Sequence, residues 1–287
     1  MKIANINLKG TELKNDNVFI ESSIVNLSDL TNTPTRKGLE MAVISNGTIV
    51  NVVSDNYGHL PNEDFFLKVE ENLINSDIQY LTRSINKDNR SFAVDYILND
   101  DNYTIEVNGS IKDKIRPMLR FVNAYDGSNK TSGSFGYFRE VCSNGLHVAE
   151  SQVGFSVKKS GAICQIVLPE IKHLVNKFMS NEYYTLKNKF DTLQNTKISN
   201  VELFVKKVCD ETKIIKFEAS DKNPTPSKKA GEVIDAINSE ARLLGTNPNF
   251  WLGYNNLNEL LCNGLNKSFE QQKTIDKQLF NTILEMV

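Results

Sequence analysis

The sequence lacks the features that mark secreted, membrane-spanning and metal-stabilised proteins. Its four cysteines are widely scattered and form no Cys-x-x-Cys pair, which argues against a disulfide framework and against a structural zinc site. No segment approaches the roughly 20 uninterrupted apolar residues of a membrane span. The first residues also lack the apolar stretch of a secretory signal. The sequence therefore predicts a cytoplasmic protein with free thiols and no membrane contact.

Catalytic and cofactor motifs are also missing from the sequence. The three histidines lie outside any nucleophile-elbow or papain-like context, and no His-Glu-x-x-His or EF-hand pattern occurs. Cys142 and His147 form the one close Cys/His pair, and no third orienting group accompanies them. We therefore favour a non-enzymatic protein with no metal and no cofactor. A metal-dependent nuclease stays open, because carboxylate ligands can come from distant parts of a chain.

What the chain does have is an uneven distribution of charge. The net charge of −2 conceals an acidic first part, where residues 1–100 contain 9 basic and 14 acidic residues. Residues 112–189 contain 12 basic and 6 acidic residues. A basic middle segment favours one face that attracts polyanions, and a mixed, solvated surface is the alternative.

Hydrophobic periodicity predicts an α+β fold, in which a hairpin-rich antiparallel sheet core with packed helices precedes a mostly helical C-terminal region. We place the α+β core and an N-terminal arm in residues 1–168 and the helical region in residues 169–287. Residues 221–227 are the candidate linker. Further helices are predicted over residues 200–211, 229–244, 249–263 and 269–286.

Individual elements follow from local patterns. Asn46-Gly47 between β-branched runs predicts a hairpin over residues 41–53, and Asn62 is the expected cap of an amphipathic helix. Alternating residues predict a second hairpin that pairs residues 92–98 with 103–107. We also predict a strand over residues 118–124 that begins after Pro117, a buried strand over 162–168, and a long helix that Pro169 opens.

The central stretch, residues 116–161, combines turns, aromatic residues and cations. We expect Asp126 to brace a turn, residues 130–134 to be flexible and polar, and Asn144-Gly145 to form a turn or a helix C-cap. The loop 127–133 has the composition of a phosphate loop but lacks the Gly-Lys-Ser/Thr ending. We therefore expect it to touch a phosphate backbone rather than to bind a nucleotide.

Cations and aromatic residues are interleaved in this stretch. Cations neutralise phosphates and aromatic rings stack on bases, a combination that suits single strands with little sequence preference. We assign Phe121 and Phe138 to the core, and Tyr125 and Tyr137 to the surface. The predicted nucleic-acid-binding residues are Arg116, Arg120, Tyr125, Lys130, Tyr137, Arg139, Lys158 and Lys159.

The segment AYDGSNKTSGSFGYFREVCSNGLHV resembles a phage- and plasmid-borne family known as domain of unknown function 932. The flanking passages VVSDNYGHLPNEDFF and FWLGYNNLNELLCN are also similar, so the resemblance covers residues 40–265. In this chain Ala124-Tyr125 replaces the usual Ser-His, and Asn256 and Asn258 stand where Ala and Thr are usual. The residues that match the central motif are Asp126, Gly127, Ser128, Arg139, Val141, Cys142, Asn144, Gly145 and Leu146.

The resemblance implies origin in a mobile element and no established activity. Together with the charge distribution, it gives a leading hypothesis: a non-enzymatic, homo-oligomeric protein that binds single-stranded nucleic acid in the host cytoplasm, as an annealing or recombination accessory protein. The alternative is a protein-interaction module, such as a host-defence inhibitor or an assembly scaffold. In that case a host protein is the partner and the acidic first 100 residues matter more than the basic segment.

Overall fold

The structure is a computed structural model that describes residues 13, 18–32, 34–99, 104–107, 110–139, 145–146, 154–159, 161, 163–177, 183–220, 223–267 and 269–287 of the chain. The strands are β1 (Ser22–Asn26), β2 (Met41–Ser45), β3 (Thr48–Val53), β4 (Tyr80–Lys87), β5 (Ser91–Leu98), β6 (Ile105–Val107), β7 (Ser110–Ala124), β8 (Thr131–Arg139), β9 (Gly145–Leu146), β10 (Gly154–Val157), β11 (Glu218–Ser220) and β12 (Asn223–Pro226). The helices are α1 (Leu27–Leu30), α2 (Asn62–Asn75), α3 (Ile163–Lys177), α4 (Tyr183–Asn195), α5 (Val201–Thr212), α6 (Lys228–Leu243), α7 (Phe250–Glu259) and α8 (Phe269–Glu285), with a π-helix at Leu260–Gly264. Within these ranges, no helix combines the length and the apolarity that crossing a membrane requires.

One large antiparallel sheet organises the fold. Its strands run in the order β10-β8-β7-β5-β4, and β6 and β9 pair with β7 and β8. Strands β1, β2 and β3 form a separate three-stranded sheet, and β11 and β12 form a two-stranded ribbon. Because most of the helices follow the sheet strands in the chain, the predicted α+β class with a mostly helical C-terminal region is confirmed.

A continuous hydrophobic core joins one face of the large sheet to the helices. On β5, Phe92 packs edge-on against Phe66 of α2, with ring centroids 4.9 Å apart. On β8, Tyr137 packs against Phe190 of α4 at 5.0 Å, and Phe190 packs against Trp251 of α7 at 5.1 Å. Each such aromatic pair contributes about 0.5–1.5 kcal/mol beyond the burial of area. The same core therefore extends from residues 1–168 into residues 169–287.

Local signals identify several elements correctly. The hairpin of β2 and β3 turns at Asn46 and Gly47, whose φ angles are +50° and +71°. Helices α5, α6 and α8 lie within one residue of their predicted bounds. Gly245, with a φ angle of +65°, ends α6 as expected. The helix predicted over residues 249–263 is present as α7 followed by the π-helix.

The predicted pairing of the second hairpin is wrong. Strand β5 pairs with β4 and β7, and β6 pairs with β7 through Ile105 and Ile115. Alternation along a strand shows which side chains share a face, but it does not specify the neighbouring strand. Strand β7 also begins earlier than predicted, so Pro117 lies within it, opposite Tyr137 of β8.

The strand predicted over residues 162–168 is wrong, because this segment is helical. Helix α3 begins at Ile163 and passes through Pro169, which lies on its exposed side. Ile163, Val167 and Ile171 are buried at intervals of four residues, the spacing of one helix face. A short apolar run fits a buried strand and a buried helix equally well. The predicted long helix is therefore two helices, α3 and α4.

Two polar segments have different roles from those predicted. Asn62 begins α2, but Pro61 occupies the cap position and no side chain caps the helix. In the predicted linker, residues 223–226 form β12, which pairs with β11. Ser227 then caps α6 by accepting a hydrogen bond from the Ala230 N–H. Residues 221 and 222 lie outside the described residues.

Candidate functional site

The turn between β7 and β8 is held by its own aspartate. The Asp126 carboxylate accepts a hydrogen bond from the Ser128 N–H at 2.9 Å. Gly127 between them has a φ angle of +77°, a conformation that favours glycine. The expectation that Asp126 braces the turn is confirmed. This carboxylate is thus engaged with the backbone of its own turn.

The predicted flexible loop is shorter than expected, because β8 already begins at Thr131. Thr131, Ser132 and Ser134 are buried in the sheet, so residues 131–134 are neither flexible nor exposed. A Cβ atom added to Gly133 would lie 2.4 Å from the Phe155 ring, so glycine is needed here for packing. The segment 127–133 is therefore a four-residue turn followed by a strand, which rules out a phosphate loop.

Three of the predicted cations, Lys130, Lys158 and Lys159, lie at the same end of the large sheet. Strand β10 pairs with β8 so that Val157 lies opposite Thr131. The adjacent residues, Lys158 and Lys130, are therefore neighbours across the sheet, where strands lie about 5 Å apart. Both side chains are exposed, and Lys159 beside them is half-buried.

Arg90 brings a fourth cation to this end, and sequence reasoning missed it. It lies in the turn between β4 and β5, its side chain is exposed, and its carbonyl accepts the Tyr125 N–H at 2.6 Å. The carboxylates of Asp88 and Asp126 nearby accept backbone N–H groups. Arg90 falls in the acidic part of the chain, so only the strand order reveals its position. We call this set the cationic end: Arg90, Lys130, Lys158 and Lys159.

Two other predicted cations lie at the opposite end of the sheet. Arg139 ends β8 and pairs with Ile115, next to Arg116. Nine strand positions separate Arg139 from Lys130, which corresponds to roughly 30 Å at about 3.3 Å per residue. The half-buried Arg116 donates to the Thr104 hydroxyl at 3.3 Å. The basic segment therefore does not converge on one surface.

Arg120 is a structural residue, and its predicted place in a binding surface is wrong. It is buried in the middle of β7, where Nε and Nη2 donate to the two carboxylate oxygens of Asp95 at 2.5 and 2.7 Å. Strand pairing places Asp95 directly opposite Arg120. The guanidinium group is therefore buried and occupied by the two hydrogen bonds to Asp95, so Arg120 cannot contact a phosphate at the surface.

The expectation that Tyr125 and Tyr137 lie at the surface is wrong, because both are fully buried. Tyr137 points into the core against Phe190. A base cannot stack on either ring in this structure. The assignment of Phe121 and Phe138 to the core is confirmed. Neither tyrosine therefore gives the cationic end an exposed aromatic surface.

Tyr125 instead connects three parts of the fold. Its hydroxyl oxygen accepts hydrogen bonds from the Ser22 hydroxyl at 2.9 Å and from the Asn62 N–H at 2.7 Å. Its carbonyl accepts a hydrogen bond from the Asn51 side chain at 2.8 Å. The residue therefore ties the three-stranded sheet and α2 to the large sheet. Burial raises the pKa of Tyr125, so the phenol is neutral at physiological pH.

Asn123 fixes the position of Lys159. The Asn123 side-chain oxygen accepts from the Lys159 ammonium at 2.5 Å and from the Thr131 hydroxyl at 2.9 Å, while its amide donates to Asn62 Oδ1 at 2.9 Å. The ammonium also lies 5.1 Å from the centroid of the Tyr125 ring, within cation–π range. These contacts hold the residues after β10 next to the turn that follows β7.

Tyr57 and His59 complete this polar cluster, and sequence reasoning singled out neither. His59 Nε2 lies 3.3 Å from the Ser22 hydroxyl oxygen, and burial lowers the pKa of His59, so the ring is neutral near pH 7. Burial also raises the pKa of Tyr57, with a further contribution from Tyr125 and Asp126. Among the described residues, neither His59 Nδ1 nor the Tyr57 hydroxyl has a hydrogen-bond partner.

The structure describes only some of the remaining motif residues. In the part of the chain that the structure describes, no three His, Cys, Asp or Glu side chains are grouped to hold a metal ion. Cys142, Asn144 and His147 lie outside the described residues. Gly145 was expected in a turn or a helix C-cap, but it belongs to β9 and pairs with Phe138.

Removal of the Tyr125 hydroxyl tests the connecting role of this residue. We expect Tyr125→Phe to lower the free energy of unfolding by about 1–3 kcal/mol, because the buried Asn62 N–H loses its acceptor. Urea unfolding followed by circular dichroism measures the change. Tyr184→Phe on α4, where the side chain is 63% exposed, is the matched control. Equal stability of the two variants would contradict the role.

A family model described as Domain of unknown function (DUF932) matches residues 49–280 of the chain. The chain belongs to the DUF932 family. The match begins in β3 and ends in α8, so it contains the whole cationic end. It also contains most of the polar cluster around Tyr125, which we call the Tyr125 cluster: Ser22, Tyr57, His59, Asn62, Asn123, Tyr125 and Lys159. No curated protein and no solved structure matches the chain. DUF932 membership is thus established.

The two departures from the DUF932 pattern are each accommodated by hydrogen bonds. Tyr125, at the usual histidine position, makes the contacts described above. In α7, the Asn256 amide donates to the Glu240 carboxylate at 2.8 Å, and the Asn258 amide donates to the Asp276 carboxylate at 2.7 Å. Buried amides require such partners. The asparagines therefore have a structural role in packing α7 against α6 and α8.

Proposed function

We propose that this DUF932 protein binds single-stranded nucleic acid through the cationic end, with little sequence preference and without catalysing a reaction. The observation that carries the proposal is the register of β8 and β10, which brings the exposed Lys130 and Lys158 side by side. The exposed Arg90 projects from the neighbouring turn. The nearby carboxylates of Asp88 and Asp126 already accept backbone N–H groups, so these two compete less with an incoming phosphate.

Contacts of this kind suit an annealing function. Lysine binds phosphate as a point charge and carries no information about base sequence. A strand that is held by its phosphates keeps its base edges available for a second strand. The proposal also agrees with the origin in a mobile element that the resemblance implies, since such DNA replicates and recombines. Self-association of the protein remains part of the proposal.

A salt titration tests the proposal. We expect a fluorescein-labelled oligo(dT) to bind with a fluorescence anisotropy change. If Arg90, Lys130 and Lys158 each neutralise one phosphate, affinity falls roughly 20-fold between 50 and 200 mM salt. Acceleration of the pairing of two complementary oligonucleotides would support annealing. The absence of salt-sensitive binding at micromolar protein would refute the proposal.

A groove between α2 and α3 favours protein interaction as a second candidate function. Its volume is about 360 Å³, and its lining combines Leu60, Phe65 and Val167 with Asp64 and with Glu71, which pairs with Lys68. Such a groove accepts an apolar side chain between charged groups of both signs. Co-purification from nuclease-treated host lysate tests this candidate. A protein partner that persists there and is lost on Leu67→Asp, at a half-buried residue of the same lining, would support it, whereas no persistent partner would oppose it.

A further inference from the structure

The cationic end needs an aromatic surface if it is to bind bases as well as phosphates, and Tyr125 and Tyr137 cannot supply one. Tyr57 lies in the loop between β3 and α2 and belongs to the Tyr125 cluster. The Lys159 ammonium is 6.0 Å from the centroid of its ring. Lys159 in turn follows Lys158, one of the exposed cations. Tyr57 is therefore an aromatic residue that adjoins the cationic end.

Tyr57 is partly exposed to solvent while its hydroxyl group is enclosed, as a residue that stacks on a base requires. The residue is partly exposed, but its hydroxyl is enclosed and makes no hydrogen bond to any described residue. Solvent therefore reaches the residue at atoms other than the hydroxyl. The Tyr57 N–H donates to the Ser54 carbonyl at 3.1 Å, which holds the backbone in a turn. Because the hydroxyl end of the ring is enclosed as well, the side chain loses little conformational entropy when a ligand packs on it.

We propose that Tyr57 forms a nucleobase-stacking subsite, in which a base lies on the Tyr57 ring while the phosphates of the same strand contact Lys130 and Lys158. This inference rests on the proposed function. Lys159, held by Asn123, places its ammonium group beside the ring and next to Lys158. Every base has a π-face, so the subsite adds affinity without adding sequence preference.

The test compares Tyr57→Leu with the wild type on two ligands, oligo(dT) and an abasic oligonucleotide of equal length. The wild type should prefer oligo(dT), and Tyr57→Leu should lose affinity for it by about 5- to 150-fold. The variant should bind the abasic strand as the wild type does. Its salt dependence should also stay unchanged, because no phosphate contact is removed. Tyr184→Leu, at an exposed position of α4, is the matched control.

A second variant distinguishes the loss of stacking from a folding defect. Tyr57→Trp keeps an aromatic surface, and the one native tryptophan, Trp251, is fully buried. We expect this variant to bind oligo(dT) at least as well as the wild type, with quenching of the new tryptophan by oligo(dT) and not by the abasic strand. Equal losses on both ligands, or unchanged affinity in Tyr57→Leu, would overturn the subsite. Absence of salt-sensitive binding by the wild type would instead overturn the proposed function.

Discussion

Replacement of Lys130 and Lys158 together by glutamine is expected to weaken the binding of oligo(dT) about 25-fold at 0.1 M salt. Each lysine that neutralises a phosphate of a single strand contributes about 0.7 to the slope of log affinity against log salt. The double variant should therefore lose about 1.4 from this slope. Anisotropy titrations at four or five salt concentrations measure both quantities. Circular dichroism should show no loss of structure, because both side chains are exposed.

The matched control is the double replacement of Lys207 and Lys228 by glutamine. These lysines are also exposed but lie on α5 and at the start of α6. The control changes the net charge by the same amount, so it separates a local contact from general attraction. An equal loss of affinity in the two double variants would show that binding does not depend on the cationic end. An unchanged slope in the Lys130/Lys158 variant would lead to the same conclusion.

Arg120→Met is expected to lower the free energy of unfolding by about 3–5 kcal/mol, because it leaves the buried Asp95 carboxylate without the guanidinium group that it pairs with. Asp95 and Arg120 are 0% and 4% exposed, so water cannot replace the lost contacts without opening the sheet. Chemical denaturation measures the loss. At a temperature where the variant is folded, its affinity for oligo(dT) should equal that of the wild type.

The joint replacement Asp95→Leu with Arg120→Met provides the control. When both charges are removed, no unpaired charge is buried, and much of the stability should return. If the single variant is as stable as the wild type, the ion pair is not structural. If Arg120→Met instead reduces the affinity for oligo(dT) and leaves the stability unchanged, Arg120 belongs to the binding surface as the sequence predicted.

The sequence is informative where short-range contacts determine the structure. Helices α5, α6 and α7 are capped by Asn200, Ser227 and Asn249, whose side chains each accept a backbone N–H from the first turn. The Asn46-Gly47 turn likewise depends on two residues only. Such signals lie within a few positions of the element that they define. The α+β class and the bounds of these helices could therefore be predicted.

The errors arise where the outcome depends on residues far apart in the chain. Arg120 looks like a surface cation until Asp95, 25 positions earlier, is placed opposite it. Tyr125 has a hydroxyl group suited to the surface, but Ser22 and Asn62 satisfy that group in the interior. Arg90 joins the cationic end only through the order of the strands. Periodicity carries no information about these partners, which explains why Lys130 and Lys158 are exposed as expected while Tyr125 and Tyr137 are buried.

The core that joins the sheet to the helices has a consequence for synthesis on the ribosome. The last strand of the large sheet ends at Val157, but the aromatic contacts of Tyr137 continue through Phe190 to Trp251. At about 5–20 residues per second, the roughly 90 residues in between take about 5–20 s to translate. During this interval the aromatic face of the nascent sheet lacks part of its helical cover. The layout thus favours chaperone binding before α7 emerges, and it makes the yield of folded protein depend on the late helices.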